Sequence, residues 1–171
     1  MKQYVIYTDG SFSSDDGLAH GGIVYSDYIG NVHNMIHVFS NHPDFCSMRN
    51  VGGEILAAWA AIYSITESVK ANGWQDESIN IKIVYDYEGV GKWLRGEWQC
   101  KKNATRWYKD AVWKCLKSLP TCTLTYCWVH GHDGEELNEL ADRVASYDTL
   151  WCERNGVEII DLKPYLDQYY K

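Results

Sequence analysis

Nowhere in this chain does an apolar run approach the roughly 18 residues that a membrane-crossing helix needs, so no membrane association is expected. Internal repeats and low-complexity segments are absent too, which excludes solenoid and linker architectures. No C-x-x-C pair occurs among the six cysteines (46, 100, 115, 122, 127 and 152), so a zinc ribbon or thiol-redox motif is not expected. Those cysteines read as free intracellular thiols rather than disulfides. The chain contains neither G-x-S-x-G nor G-x-x-x-x-G-K-[ST], which removes the serine-hydrolase elbow, although Ser11 and Ser13 lie near Asp9, and also the P-loop. The opening Met1-Lys2-Gln3-Tyr4 runs straight into a strand-like segment, so no signal peptide and a cytoplasmic location are expected. There is no overall excess of positive charge: the formal net charge is −7.

Charge is nonetheless unevenly distributed. Between Lys92 and Lys117 stand Lys92, Arg95, Lys101, Lys102, Arg106, Lys109, Lys114 and Lys117 against only Glu97 and Asp110. Such a stretch could bring a phosphate backbone to one face of an acidic protein, or simply be a solvated helix surface.

With 171 residues, 46% of them hydrophobic and 14% aromatic, the chain can build a core of its own. Gln3–Thr8 is dense in β-branched and aromatic residues and reads as a strand ending at the turn signal Asp9-Gly10-Ser11. Residues 21–28 and 32–39, joined at Ile29-Gly30-Asn31, complete an antiparallel meander, and Pro43 breaks the pattern. Residues 51–69 read as a buried helix stopped by Asn72-Gly73. A strand over 81–85 is followed by a short helical stretch, a helix over 105–119 and a strand over 121–129. A last amphipathic helix begins near Asp133, where Asp133 and Glu136 form a capping-box pattern, and carries Leu137, Leu140, Ala141, Val144 and Ala145 on one face. The expected fold is α/β: a five-stranded mixed sheet, three strands antiparallel and then two parallel, flanked by helices. A domain over 1–155 and a C-terminal tail of unassigned role over 156–171 are expected.

Several element boundaries carry acids, where α/β proteins place functional groups. Asp9 follows the first strand, Glu54 opens the long helix, Asp86 follows the fourth strand and Asp142 lies two turns into the last helix. Each taken alone has an ordinary structural explanation as a turn, helix-start or solvated residue. Together they are the oxygen-rich set that hard divalent cations require.

Their flanking residues carry a family likeness. Tyr7-Thr8-Asp9-Gly10-Ser11, Arg49-Asn50-Val51-Gly52-Gly53-Glu54, Tyr85-Asp86, and Trp128-Val129-His130-Gly131-His132 continuing to Asn138 and Ala141-Asp142 resemble type 1 ribonuclease H, most closely its bacterial and phage branch. The resemblance covers about Gln3 to Ala145. It implies an RNase H-like fold and an endoribonuclease that cuts the RNA strand of RNA–DNA hybrids, leaving a 3′-hydroxyl and a 5′-phosphate. It maps Asp9, Glu54, Asp86 and Asp142 onto metal-binding carboxylates for two Mg²⁺ ions, with Mn²⁺ an alternative. His132 maps onto a mobile histidine that assists proton transfer or product departure, a role suited to a side chain titrating near neutrality. Substrate contacts are expected from Gly10, Ser11, Asn50, Lys101, Lys102 and Asn138. Gly10, Gly52 and Gly53 could admit the sugars closely or serve packing alone. The chain departs from some members in lacking a long basic protrusion after the third carboxylate, with only Glu97–Asn103 in its place. Trp93 is expected to pack inward; Trp98 and Trp107 could pack or stack on bases. The competing readings are another nuclease on this fold and a catalytically silent hybrid-binding module. A monomer is expected.

Overall fold

The structure, a computed structural model, describes residues 2–130 and 135–170. Strands β1 (Lys2–Phe12), β2 (Ala19–Ser26) and β3 (Val32–Ser40) form the antiparallel meander. A single-turn helix α1 (Pro43–Cys46) leads into the long helix α2 (Asn50–Ala71). Then come β4 (Ile79–Tyr85), α3 (Gly89–Arg95), α4 (Asn103–Lys117), β5 (Cys122–Trp128) and α5 (Glu136–Ala145). The chain closes with α6 (Thr149–Arg154), β6 (Glu158–Asp161) and α7 (Lys163–Tyr169). The sheet order is β5-β4-β1-β2-β3-β6. β4 runs parallel to β1, and β5 parallel to β4.

The strands alternate their side chains between two faces. On β2, Ile23 enters the main core beneath α2 and α4, while its neighbour Val24 joins a smaller cluster with Ala141, Val144, Cys152 and Val157 beneath α5 and α6. The sheet is therefore a middle layer. Helix α2 is buried along nearly its whole length, as its lack of a polar face requires. It stops at Asn72, where Gly73 takes φ +71°, a backbone state that suits glycine.

One expectation needs correction, and the structure extends others. The sheet has six strands, not five, because residues 158–161 pair parallel with β3, from Ile36 opposite Glu158 to Phe39 opposite Asp161. The segment after Gly156 is thus built into the fold: Leu162 and Leu166 are buried in the main core. Four residues with acidic ends and an exposed Ile159 carry too little alternation to announce a strand. The strand pattern breaks before Pro43 as expected, and Pro43 also starts α1, where a missing N–H costs nothing, with His42 Nδ1 accepting the Asp44 N–H at 3.1 Å. Asp133 lies outside the described residues, and α5 has Glu135 at its N-cap with no side-chain capping bond.

Candidate active site

Parallel pairing of β1 with β4 sets Tyr7 opposite Val84, so two residues further on Asp9 stands level with Asp86, the first residue after β4. β1 continues to Phe12, and Asp9 is accordingly a strand residue opposite Gly22 rather than part of a turn. Helix α2 lies close over this strand end. A Cβ at Gly10 would collide with the backbone of Asn50 and Glu54, and would stand 2.7 Å from the Gly53 carbonyl carbon. Only glycine permits that approach, and the approach delivers Glu54 to Asp9. For Gly10, packing explains the residue.

One carboxylate oxygen each from Asp9, Glu54 and Asp86 lie within 4.8 Å of one another. Asp9 and Glu54 are buried, 4% and 3% exposed, while Asp86 is half-buried. Asp9 Oδ1 accepts the Gly10 N–H at 2.9 Å. Glu54 Oε2 is buried without a hydrogen-bond partner among the described residues. Burial pushes the Asp9 carboxyl up from 3.8 to about 8, with Asp142 and Asp86 adding to the rise and Glu54 and the Gly10 N–H opposing it. Burial likewise lifts Glu54 well above the usual carboxylate range, reinforced by Asp9 and Asp86. Asp142 is exposed on α5 and stands outside this trio, though near enough to Asp9 to raise its proton affinity.

Carboxylates crowded in this way repel one another unless protons or a cation intervene. The donors are all oxygens, one of them buried and unpartnered, which is what a hard divalent ion takes up. The residues fit magnesium.

The other expected site residues are spread around this centre. Asn50 is the exposed first residue of α2. Asn138 is buried on α5, one turn before Asp142, and its Oδ1 has no hydrogen-bond partner among the described residues. Ser11 donates its hydroxyl to the Ala145 carbonyl at 2.7 Å, tying β1 to the end of α5. Lys101 and Lys102 are exposed on a groove of about 680 Å³ whose walls include Met48, Tyr87, Trp93 and Trp98. Trp93 is 8% exposed, and Trp98 packs edge-on against it with ring centroids 5.6 Å apart. Trp107 is half-buried against the core: it packs against Trp59, and its Nε1–H donates to the Tyr169 carbonyl at 3.0 Å. His132 lies outside the described residues.

Two features of the site escaped sequence reasoning. Arg49, at the N-cap of α2, has φ +57°, a strained state for a residue with a side chain, and stacks over Phe12 at 4.6 Å. Tyr87 lines the groove; its position next to Asp86 was the available signal.

An α/β fold with a mixed six-stranded sheet and a buried carboxylate trio at its centre defines the class of protein. The RNase H family profile matches residues 1–149, and the chain belongs to the ribonuclease H family. It is 26% identical to a ribonuclease H of Lachnoclostridium phytofermentans, over 82% of this chain and 88% of that one. It is 30% identical to a ribonuclease H of Polynucleobacter asymbioticus, over 83% and 86% respectively. Among solved structures, RNase H1 from Halobacterium salinarum superposes with a TM-score of 0.61 at 21% identity, covering 84% of this chain and 95% of that one. LC11-RNase H1 from compost, solved in complex with an RNA/DNA hybrid, gives 0.63 at 18% identity, with 84% and 94% covered. Among the described residues no helix is long and apolar enough to cross a membrane.

Proposed function

We propose that this enzyme hydrolyses the RNA strand of RNA–DNA hybrids at a carboxylate-held divalent metal centre, leaving 3′-hydroxyl and 5′-phosphate ends. The observation that carries the reading is the convergence of Asp9 of β1, Glu54 of α2 and Asp86 just past β4, with a buried Glu54 oxygen unpartnered among the described residues. Asp9, Glu54, Asp86 and Asp142 are the residues that would hold two magnesium ions, or manganese in their place. When bound, the ions supply Lewis-acid chemistry, drawing charge from the scissile phosphate and easing ionisation of the attacking water.

The remaining work falls to the chain's own side chains. The four carboxylates orient that centre, and the burial of Asp9 on β1 and Glu54 on α2 excludes competing water from their side of it. Asn50 and Asn138 offer amides to the 2′-hydroxyls that distinguish RNA from DNA. Lys101 and Lys102, within the basic stretch from Lys92 to Lys117, attract the second strand's phosphates into the groove beside Trp98. Such a groove offsets the net charge of −7 locally. His132 would move a proton to or from the leaving oxygen, a role carried over from the family resemblance alone.

The test is cleavage of a hybrid with either strand labelled, in Mg²⁺ with and without chelator, for wild type and Asp9→Asn. Cutting of the RNA strand only, abolished by chelator and reduced more than about 100-fold in the variant, is the expected result, since even indirect ligand partners are worth 10–100-fold. Chelator-resistant cutting, or full activity in Asp9→Asn, overturns it. Hybrid binding without any cutting would make the chain a silent binding module.

A further inference from the structure

On the α5 side of the sheet lies a buried polar chain that the proposed chemistry does not use. His37 of β3 places Nδ1 2.8 Å from the Val144 carbonyl in the last turn of α5. Its Nε2 stands 3.0 Å from Nδ1 of His20 on β2, and His20 Nε2 stands 2.8 Å from Asp16 Oδ2. Both rings are buried, 1% and 0% exposed. Tyr147 stacks on both, with centroids 4.6 Å away, and holds φ +56° to do so.

Counting protons along this chain gives a definite answer. Val144 O only accepts, so His37 Nδ1 carries a hydrogen. The ring-to-ring contact needs one hydrogen, and the contact to the Asp16 carboxylate needs another. Three of the four ring nitrogens are therefore protonated, and the pair carries one positive charge whichever ring holds it. Burial, with His20 adding to it, pushes His37 down to about 4, and the Asp16 carboxylate lies at the His20 end of the pair. Asp16 in turn accepts the Leu18 N–H at 2.9 Å. The other titratable groups facing the pair are Tyr147, beyond α5, and the Cys46 thiol of α1, which lies near Ala19 and Asp16.

The mechanical consequence concerns α5. Its last carbonyls have no partners within the helix and attract positive charge. Ser11 takes that of Ala145, and His37 takes that of Val144. The helix rests on Gly22, the strand partner of His37, where a Cβ would press into Ala141 O and come 2.6 Å from the Ala145 N. Asp142 lies in the same turn.

We propose that Asp16, His20, His37 and Tyr147 form a singly protonated latch that seats the end of α5 on the sheet, making His20 and His37 positioning residues for Asp142. This rests on the reading of Asp142 as a metal-site carboxylate. Losing the third proton sets a bare ring nitrogen either against the Asp16 carboxylate or against the other ring, and one of the links holding the chain opens.

The test uses the full chain without nucleic acid. Long-range ¹H–¹⁵N spectra of ¹⁵N-histidine protein should show three protonated ring nitrogens for His20 and His37 at pH 7. In Asp16→Asn the midpoint for losing the third should fall by at least about one pH unit, the usual effect of removing an adjacent opposite charge. Calorimetric titration with Mg²⁺ alone should show about tenfold weaker binding for His37→Phe, and recovery in His37→Asn, whose amide can still donate to Val144. Two protonated nitrogens in wild type at pH 7 would overturn the latch, as would unchanged Mg²⁺ affinity in a cooperatively folded His37→Phe. Should that variant not fold, an Asp16→Asn midpoint equal to that of wild type is the refuting result. A wild-type chain that binds Mg²⁺ and cuts no hybrid defeats the proposed function and leaves the latch intact.

Discussion

Replacing Asp9 by asparagine changes one atom at the centre of the carboxylate trio, and it should make the metal-free protein more stable at pH 8. In the fold the Asp9 carboxyl is pushed up from 3.8 to about 8, chiefly by burial, with Asp142 and Asp86 adding to it. The folded state therefore keeps a proton that the unfolded chain has lost. That contribution to stability is complete below about pH 4 and disappears as the pH rises to about 8. At about 1.4 kcal/mol per pKa unit the whole shift is worth at most about 6 kcal/mol. The proton is shared with Glu54, itself raised for the same reasons, so one substitution should recover about half, or roughly 3 kcal/mol. Asparagine keeps an oxygen to accept the Gly10 N–H. For a chain of this length about 3 kcal/mol corresponds to a Tm rise of roughly 6–12 °C. Thermal melts in chelator should show that rise at pH 8 and little difference at pH 4.5. Added Mg²⁺ at pH 8 should raise the Tm of wild type but not of the variant. An Asp9→Asn protein that melts below wild type at pH 8 in chelator would refute the reasoning.

Gly22→Ala should cost about 1–3 kcal/mol, since its Cβ meets α5 backbone that cannot yield without moving Asp142; thermal melts and Mg²⁺ titration check both effects. Leu166→Ala should lower the urea midpoint by an amount equivalent to about 2–5 kcal/mol, because α7 closes the main core; no change would mean the segment is dispensable. The double variant Lys101→Ala/Lys102→Ala should weaken hybrid binding and reduce the slope of log Kd against log salt by about 1–2, measured by fluorescence anisotropy. A lost affinity with an unchanged slope would place those lysines away from the phosphates.

Much of the architecture could be read along the chain because it is local. β-Branched and aromatic residues marked β1, alternation marked β5, the apolar breadth of 55–63 marked α2 as buried, and Asn72-Gly73 marked its end. Local reading failed where the signal was short or borrowed from elsewhere. β6 is a strand only because β3 offers it an edge, and Trp107 packs against the core because Trp59 and the end of α7 meet it there. Gly10, Gly52 and Gly53 were legible as special, with packing one of two readings; the fold sets Gly10 against α2, Gly53 against the His20 carbonyl of β2 and Gly52 against that of Phe45 in α1.

The sequence by itself determined which side chains exist to do chemistry and on which kind of element each would ride, since periodicity and turn residues act over a few positions. Tertiary structure alone decided that Asp9 and Asp86 stand level across a parallel pair, that Glu54 loses its water, and that His20 meets His37. Those outcomes depend on contacts between residues far apart in the chain. A carboxylate's proton affinity follows from its surroundings, and the surroundings are made by the fold.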